Sequence, residues 1–235
     1  MALPPQDLVC PQPGTCPVPP GIEELDLGVR VLRAGTEVHR CYDVVRGYDT
    51  GNAGYGDTRF QPFDAQDGTR VPTLYVAETE AAALLETVFH TVHHDADRHV
   101  YQSSLLRRAL VRLSAPLDLQ LVDLRDEELR RLGVPRGGLV ATSAEHYPCT
   151  RRVAAALHGR AVGGVLPQGL LWHSRQAELA EGPAAEVGVV FGDRAPVGEG
   201  AWSLSRPGVR TLFDGAGREL VERVAEELGA VVVLD

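Results

Sequence analysis

Residues 72–90, PTLYVAETEAAALLETVFH, constrain the fold more than any other stretch of this sequence. Leu74 and Val76 are typical of a half-buried strand. Thr79 and Glu80 then form a helix N-terminus ahead of an Ala- and Leu-rich run. At about 100° per residue, the apolar side chains of that run share one face that must be buried: Ala81, Leu84, Leu85, Val88, Phe89 and Val92. The stretch therefore predicts a strand, a short turn and an amphipathic helix.

Glu86 interrupts the apolar face of the predicted helix. It lies at the margin of that face, beside Phe89, where a carboxylate can look into a cleft instead of open water. An ordinary solvent-exposed helix glutamate is the alternative, and position alone favours it. The choice between them depends on which other residues accompany Glu86.

Length and charge limit the class of protein. With 235 residues, of which 44% are hydrophobic, the chain can bury one substantial core. We expect a proline-rich N-terminal arm over residues 1–22 and a single domain over residues 23–235, which includes a C-terminal helix and strand. A net charge of -9 excludes general attraction to nucleic acid or to an anionic membrane. Any anionic ligand must therefore be held by local arginines.

The termini and cysteines indicate the cellular compartment. No apolar run is long enough to span a bilayer, and the N-terminus lacks the pattern of a signal peptide, which predicts a cytoplasmic protein. The four cysteines, Cys10, Cys16, Cys41 and Cys149, form no CxxC pair. Their spacing favours reduced thiols over a disulfide framework or a zinc knuckle, so no metal is expected. A Cys10–Cys16 bridge under oxidation is the alternative.

Two arginines precede the central stretch. Arg40 lies in a strand-like run over residues 37–45, EVHRCYDVV, as either an edge-strand charge or a donor aimed into a cleft. Arg59 lies in a glycine-rich segment over residues 47–68. The GNAGYG in this segment lacks the spacing, leading strand and following helix of a dinucleotide fingerprint. The segment is interpreted as a flap over a ligand or as a surface insertion.

A histidine cluster follows the central helix in HTVHHDADRH, residues 90–99. His90, His93 and His94 have a helical spacing that can chelate zinc. The HExxH motif is absent, and histidines also suit the negative end of a helix dipole. A metal-dependent hydrolase built on these histidines is therefore a distant alternative.

The rest of the sequence alternates between strand and helix patterns. Strands are predicted at residues 109–113, 117–124, 163–166, 187–191 and 230–234. Helices are predicted at residues 126–132, 147–158 and 218–228, and a loop at residues 167–175.

Taken in chain order, five residues resemble the RES family, which is named for its arginine, glutamate and serine: Arg40, Arg59, Tyr75, Glu86 and Ser174. The matching phrases are VHRCYD, GDTRF, TLYVAETEAAALLETVFH, and GLLWHSRQ followed by VGVVFGDR. The phrase that joins Tyr75 to Glu86 is the most specific. GDTRF departs from relatives with glycine directly before the arginine and tryptophan after it, and the asparagine-proline ending after Ser174 is absent.

The resemblance implies an α+β fold similar to ADP-ribosyltransferase toxins, with a mixed β core split around an NAD cleft and helices outside. It implies that NAD⁺ is the substrate and that its nicotinamide–ribose bond is cleaved, by phosphorolysis with inorganic phosphate or by hydrolysis. ADP-ribosyl transfer to a protein target is the alternative. RES proteins are commonly toxins of toxin–antitoxin systems, with an Xre-type helix-turn-helix antitoxin as partner. A homo-oligomer is a further expectation.

The residue types fit the chemistry that the resemblance implies. Cleavage leaves an oxocarbenium-like ribose, which the carboxylate of Glu86 would stabilise. Arg40 and Arg59 would hold the diphosphate. Tyr75 would stack on the nicotinamide or adenine ring, and Ser174 would donate to a phosphate. The protein could alternatively be a non-catalytic interaction module, in which Glu86 and Arg40 would form a buried ion pair.

Overall fold

The structure is a computed structural model that describes residues 8–92, 97–181 and 184–235. Its helices are α1 (Glu80–Leu85), α2 (Asp126–Arg131), α3 (Tyr147–His158), α4 (Arg175–Leu179) and α5 (Gly215–Glu227). Its strands are β1 (Val29–Leu32), β2 (Glu37–Asp43), β3 (Thr73–Ala77), β4 (His99–Tyr101), β5 (Arg108–Ser114), β6 (Leu119–Asp123), β7 (Gly169–His173), β8 (Glu186–Phe191), β9 (Ser203–Leu204), β10 (Arg210–Thr211) and β11 (Val231–Val233). In these residues no helix is long and apolar enough to cross a membrane.

Within the described ranges, nine strands form one mixed sheet in the order β1-β6-β7-β8-β3-β2-β5-β10, with β9 also paired to β5. Strands β6 and β7 run parallel, and the other neighbours in this sheet run antiparallel. Strands β4 and β11 form a separate parallel pair. The predicted α+β class with a mixed β core is therefore confirmed.

The sheet opens between β2 and β3. Strand β2 pairs with β5 along its whole length, and β3 pairs with β8 along its whole length. In the described part of the chain, β2 and β3 share a single register pair, His39 with Ala77. The two strands therefore diverge on one side of this pair, and the expected split of the β core is present.

Alternation along β3 decides which side chains face the helices. Leu74 and Val76 lie in one core cluster with Tyr42 and Trp202. Tyr75 and Ala77 face the larger cluster, to which α1, α3 and α5 contribute. Successive side chains of a strand point to opposite faces, so this register turns Tyr75 towards the helical side.

Helix α1 is shorter than the sequence predicted. Thr79 is its N-cap, as expected, and accepts a 3.1 Å hydrogen bond from the amide of Ala82. The helix ends at Leu85, and Glu86 occupies its C-cap. The Thr87 hydroxyl donates to the Ala83 carbonyl at 2.7 Å and competes with the helical pattern there. The apolar residues beyond the helix, Phe89 and Val92, are still buried. The spacing of these residues therefore predicted their burial correctly, but it predicted a helix that is too long.

Two predictions in the second half of the chain were wrong. Residues 163–166 form a turn closed by a bridge between Val162 and Val165 instead of a strand. Residues 169–173, which were predicted as a loop, form β7 inside the sheet. A Cβ at Gly169 would lie 2.2 Å from the carbonyl oxygen of Val189, so glycine is required there by close strand approach. The Pro-Gln-Gly sequence had suggested a turn. The other predicted helices and strands are confirmed, with small differences at their ends.

Residues 8–22 lie against the core. Val18 and Ile22 are buried, at 5% and 1% exposure. A Cβ at Gly138 would lie 2.8 Å from the carbonyl oxygen of Pro17, which places this segment directly on the loop before α3. The described part of the proline-rich segment is therefore packed onto the domain.

Candidate functional site

A cavity of about 530 Å³ lies where β2 and β3 diverge. Arg40, Arg59, Tyr75 and Glu86 all line it. Its volume falls within the range that small-molecule and cofactor sites occupy. The structure therefore brings four of the five residues singled out from the sequence to one cavity. The fifth, Ser174, contacts Glu86 from outside the cavity lining.

Ser174 holds Glu86 by a short hydrogen bond. Its hydroxyl donates to Oε1 of Glu86 at 2.6 Å. The Oγ atom of Ser174 also accepts a 3.1 Å hydrogen bond from the amide of Ala177, and Ser174 so caps the N-terminus of α4. Ser174 is 1% exposed. Because a hydroxyl has one proton to donate, this proton is already committed to the carboxylate.

Burial raises the pKa of Glu86 above its ordinary value. The hydrogen bond from Ser174 and the positive charge of Arg59 counteract part of this shift, because both favour the carboxylate form. A carboxyl group with a raised pKa on the wall of a cavity is a candidate for acid, base or charge-stabilising chemistry.

Arg40 spans the gap between the two diverging strands. Its Nη1 donates to the carbonyl of Tyr75 at 3.3 Å, and its Nη2 donates to the carbonyl of Thr50 at 3.1 Å. Its buried Nε has no hydrogen-bond partner among the residues that the structure describes. Burial lowers the pKa of Arg40 to about 10, so the guanidinium stays charged at neutral pH. Arg40 therefore holds a positive charge and an N–H donor at the place where β2 and β3 are no longer paired with each other.

Within the described chain, Arg40 and Glu86 do not form the ion pair that a non-catalytic interaction module would require. Arg40 donates to backbone carbonyls, and Glu86 accepts from Ser174. The two charges face the cavity separately.

Arg59 fastens the glycine-rich segment to the opposite wall. Its Nη1 donates to the carbonyls of Leu139 and Thr142, at 3.2 and 3.1 Å, and to the Thr142 hydroxyl at 2.5 Å. Its guanidinium carbon lies 5.2 Å from the centre of the Tyr147 ring, a cation–π contact. Burial lowers the pKa of Arg59. The segment interpreted as a flap is thus anchored at Arg59.

The side chain of Tyr75 is fixed by contacts at its hydroxyl group and at its ring. Its Oη lies 3.0 Å from the Thr58 hydroxyl and accepts a 3.3 Å hydrogen bond from the amide of Phe60. Its ring meets Trp172 edge to face, with centroids 6.0 Å apart. Burial raises the pKa of Tyr75, so it remains a neutral phenol. The ring is held in one orientation before any ligand arrives.

Besides Tyr75, four aromatic residues line the cavity that the sequence did not single out as site residues: Tyr42, Tyr55, Tyr147 and Trp172. Trp172 directly precedes the HSR sequence that contains Ser174, which is a usable signal. Tyr147 opens α3 and carries no such signal, because its role depends on how α3 packs. His90 also lines the cavity. The other two members of the predicted histidine cluster, His93 and His94, lie outside the described residues.

The fold and cavity define an α+β protein whose split mixed sheet presents a carboxylate and four arginines to one cleft. The family model of the RES domain matches residues 30–202, and the chain belongs to the RES domain family.

Among solved structures, the chain is similar to one from the crystal structure of the M. tuberculosis MbcT–MbcA toxin–antitoxin complex. The similarity has a TM-score of 0.53 at 16% sequence identity and covers 81% of this chain and 91% of that chain. It shows a shared fold. A search of curated proteins gave no significant match.

Proposed function

We propose that this protein degrades NAD⁺ by cleaving its nicotinamide–ribose bond and acts as the toxin of a toxin–antitoxin system. The observation that carries the proposal is Glu86, a half-buried residue whose carboxyl group has a raised pKa and is held by Ser174 at the wall of a cavity that Arg40 and Arg59 also line. Membership of the RES domain family supports the same substrate.

The charges around the cavity suit a dinucleotide. The whole chain carries a net charge of -9, so an anionic ligand depends on local cations. Arg40 supplies a charged guanidinium with an unpaired buried N–H, and Arg46 and Arg108 lie elsewhere on the cavity lining. Guanidinium groups bind diphosphate oxygens through paired N–H donors. The diphosphate would then lie on the side of the cavity formed by β2.

The chemistry needs one well-placed carboxylate. When the bond between C1′ of the ribose and the nicotinamide nitrogen breaks, its electron pair leaves with nicotinamide, which becomes neutral. The ribose gains oxocarbenium character, and Glu86 stabilises it by accepting hydrogen bonds from the ribose hydroxyls. Ser174 acts as a positioning residue, because its hydroxyl fixes one carboxylate oxygen. A phosphate or water oxygen then bonds to C1′, and water loses its proton to solvent.

Two aromatic side chains provide a surface for a flat ring. Tyr75 and Trp172 both line the cavity, and Tyr75 is prevented from turning by its hydrogen bonds to the glycine-rich segment. A rigid aromatic wall loses little conformational entropy when it binds a ligand. The nicotinamide or adenine ring would bind against this wall.

The decisive experiment follows the fate of NAD⁺ with purified protein, with and without inorganic phosphate, by mass spectrometry of the products. Wild type is expected to release nicotinamide, and Glu86→Gln is expected to lose this activity by a factor on the order of 10² to 10³. Glu127→Gln is the matched control, because Glu127 is exposed on α2 and away from the cavity lining. Equal turnover by wild type and Glu86→Gln would overturn the assignment.

The second product identifies the acceptor. ADP-ribose-1″-phosphate that appears only with phosphate indicates phosphorolysis, and free ADP-ribose indicates hydrolysis. An ADP-ribose adduct on a protein would instead establish the alternative, ADP-ribosyltransferase activity.

The proposed partner is a helix-turn-helix antitoxin of the Xre type. The fold shared with a chain from a toxin–antitoxin complex supports this assignment. Expression of the wild-type chain in a bacterial host is expected to deplete NAD⁺ and arrest growth, and Glu86→Gln is expected to do neither. Co-expression with a helix-turn-helix protein encoded beside the chain should restore growth and yield a co-purifying complex. Continued arrest with no complex would argue against that partner.

A further inference from the structure

We propose that Cys10, Cys16, His146 and Cys149 bind one zinc ion that clamps residues 8–22 to the start of α3. One ligand atom from each of the four side chains lies within 4.8 Å of the other three. Three cysteines and one histidine form a ligand set that structural zinc sites use. Four protein ligands fill a tetrahedral site, so this zinc has a structural role and no open position for catalysis.

The sulfur separation suits a shared metal. The Sγ atoms of Cys16 and Cys149 lie 3.6 Å apart. With zinc–sulfur bonds of about 2.3 Å in a tetrahedron, two sulfurs are separated by about 3.8 Å. A disulfide would require about 2.05 Å. All four cysteines are free thiols in this structure.

An independent observation comes from His146. The residue is 4% exposed, and its Nδ1 is buried with no hydrogen-bond partner anywhere in the described part of the chain. Its Nε2 lies 3.7 Å from Oε1 of Glu145. A buried imidazole nitrogen without a partner is costly, and a metal ion would satisfy it. A carboxylate near the other ring nitrogen is the arrangement that supports metal-binding histidines.

The backbone brings the four ligands together from two places. Cys10 and Cys16 flank a short 3-10 turn, Pro13–Thr15, which reverses the chain between them. His146 and Cys149 lie at the N-terminus of α3. Gln12 Nε2 donates to Oε2 of Glu145 at 3.2 Å and adds a second link between the two segments.

The site lies next to the cavity wall. Tyr147, between the two ligands of α3, lines the cavity. The hydroxyl of Thr150, one residue after Cys149, donates to the carbonyl of Arg59. Zinc bound here would fix the turn of α3 that supports Arg59. This inference stands on the ligand geometry and does not depend on the proposed NAD⁺ chemistry.

The test is metal content, measured by elemental mass spectrometry on full-length protein purified under reducing conditions with zinc in the medium. We expect one zinc per chain in wild type and in Cys41→Ser, and less than a tenth of this amount in Cys149→Ser and Cys16→Ser. Cys41 is the control because it lies on β2, outside the cluster.

A second measurement keeps the test valid if a variant does not fold. Wild-type protein stripped with a chelator should unfold at a lower temperature, recover its melting temperature with zinc and not with magnesium, and show thiolate–metal absorption with cobalt(II). A wild-type protein that holds no zinc after reconstitution, with the thiols of Cys10, Cys16 and Cys149 still reactive, would overturn the proposal. A mapped disulfide between Cys16 and Cys149, or between Cys10 and Cys16, in wild-type protein that has been reconstituted with zinc would overturn it as well.

Discussion

The hydroxyl of Ser174 donates a 2.6 Å hydrogen bond to Oε1 of Glu86, although the two residues are 88 positions apart in the chain. The contact joins the N-cap of α4 to the C-cap of α1. It gives Ser174 a position behind the carboxylate, where it affects the protonation and orientation of Glu86 without facing the cavity.

Ser174→Ala should shift the pH dependence of NAD⁺ cleavage. The hydrogen bond from Ser174 lowers the pKa of Glu86, so its loss raises that pKa further. Because the carboxylate form stabilises the oxocarbenium ion, the acidic limb of kcat/KM is expected to move to higher pH. The measurement is a pH–rate profile of wild type and variant.

The control for this prediction is Ser174→Thr, which keeps the hydroxyl. Loss of the α4 N-cap in Ser174→Ala costs about 1 kcal/mol of stability, a loss that would occur in a purely structural role as well. The shifted limb should return towards wild type in Ser174→Thr. If Ser174→Ala lowers the melting temperature but leaves the acidic limb of the kcat/KM profile unchanged, the role of Ser174 is structural only.

Glu86→Gln should stabilise the fold at neutral pH. The pKa of Glu86 is raised in the folded state, so between the unfolded and folded values the native protein binds more protons than the unfolded chain. Stability therefore falls as pH rises through this window, and the ionised carboxylate is destabilising above it. Glutamine has no such penalty and still accepts from Ser174.

The check is a series of melting temperatures between pH 4 and pH 8 in parallel for Glu86→Gln and wild type. The advantage of the variant should be largest at the high end and shrink towards pH 4. A constant difference, or one that grows on acidification, is inconsistent with the raised pKa.

Arg40→Ala should weaken both NAD⁺ binding and the join between β2 and β3. Removal of a charged donor from a partly enclosed site costs on the order of 2–5 kcal/mol of binding, which corresponds to a KM at least about 30-fold higher. The carbonyls of Tyr75 and Thr50 also lose their donor, so the melting temperature should fall.

Arg33→Ala is the matched control for that variant. Arg33 forms an ion pair with Asp118, but its side chain is 73% exposed and remote from the cavity lining. Exposed pairs of this kind contribute about 0–1 kcal/mol. Steady-state kinetics should show an unchanged KM for Arg33→Ala, and an equally unchanged KM for Arg40→Ala would remove Arg40 from the binding site.

Gly169→Ala should destabilise the sheet by at least about 1–3 kcal/mol, because a Cβ there would meet the carbonyl oxygen of Val189 at 2.2 Å. Gly137→Ala is the control, since a Cβ at Gly137 meets nothing within 4 Å. Urea unfolding should give a lower midpoint for Gly169→Ala and an almost unchanged midpoint for Gly137→Ala. A wild-type midpoint in both variants would contradict the close strand approach.

Local patterns predicted most of the elements. The alternation around Arg40 predicted β2, and the spacing from Tyr147 to His158 predicted the exact extent of α3. These predictions succeeded because strand and helix periods depend on neighbours a few residues apart. Helix α1 was predicted too long, because the same apolar spacing continues through a turn that buries Phe89 and Val92 and that the Thr87 hydroxyl helps to form.

By itself, the sequence determined which side chains the cleft has available: the buried strand with Tyr75, the helix before Glu86, and the arginines of an otherwise acidic chain. Tertiary structure alone decided that Arg40 bridges a gap in the sheet and that Ser174 holds Glu86. It alone brought Cys16 to Cys149, which are 133 residues apart. These contacts form only when the packing of strands and helices brings together residues that are far apart in the chain. The spacing of residues along the sequence does not indicate which distant side chains will be in contact.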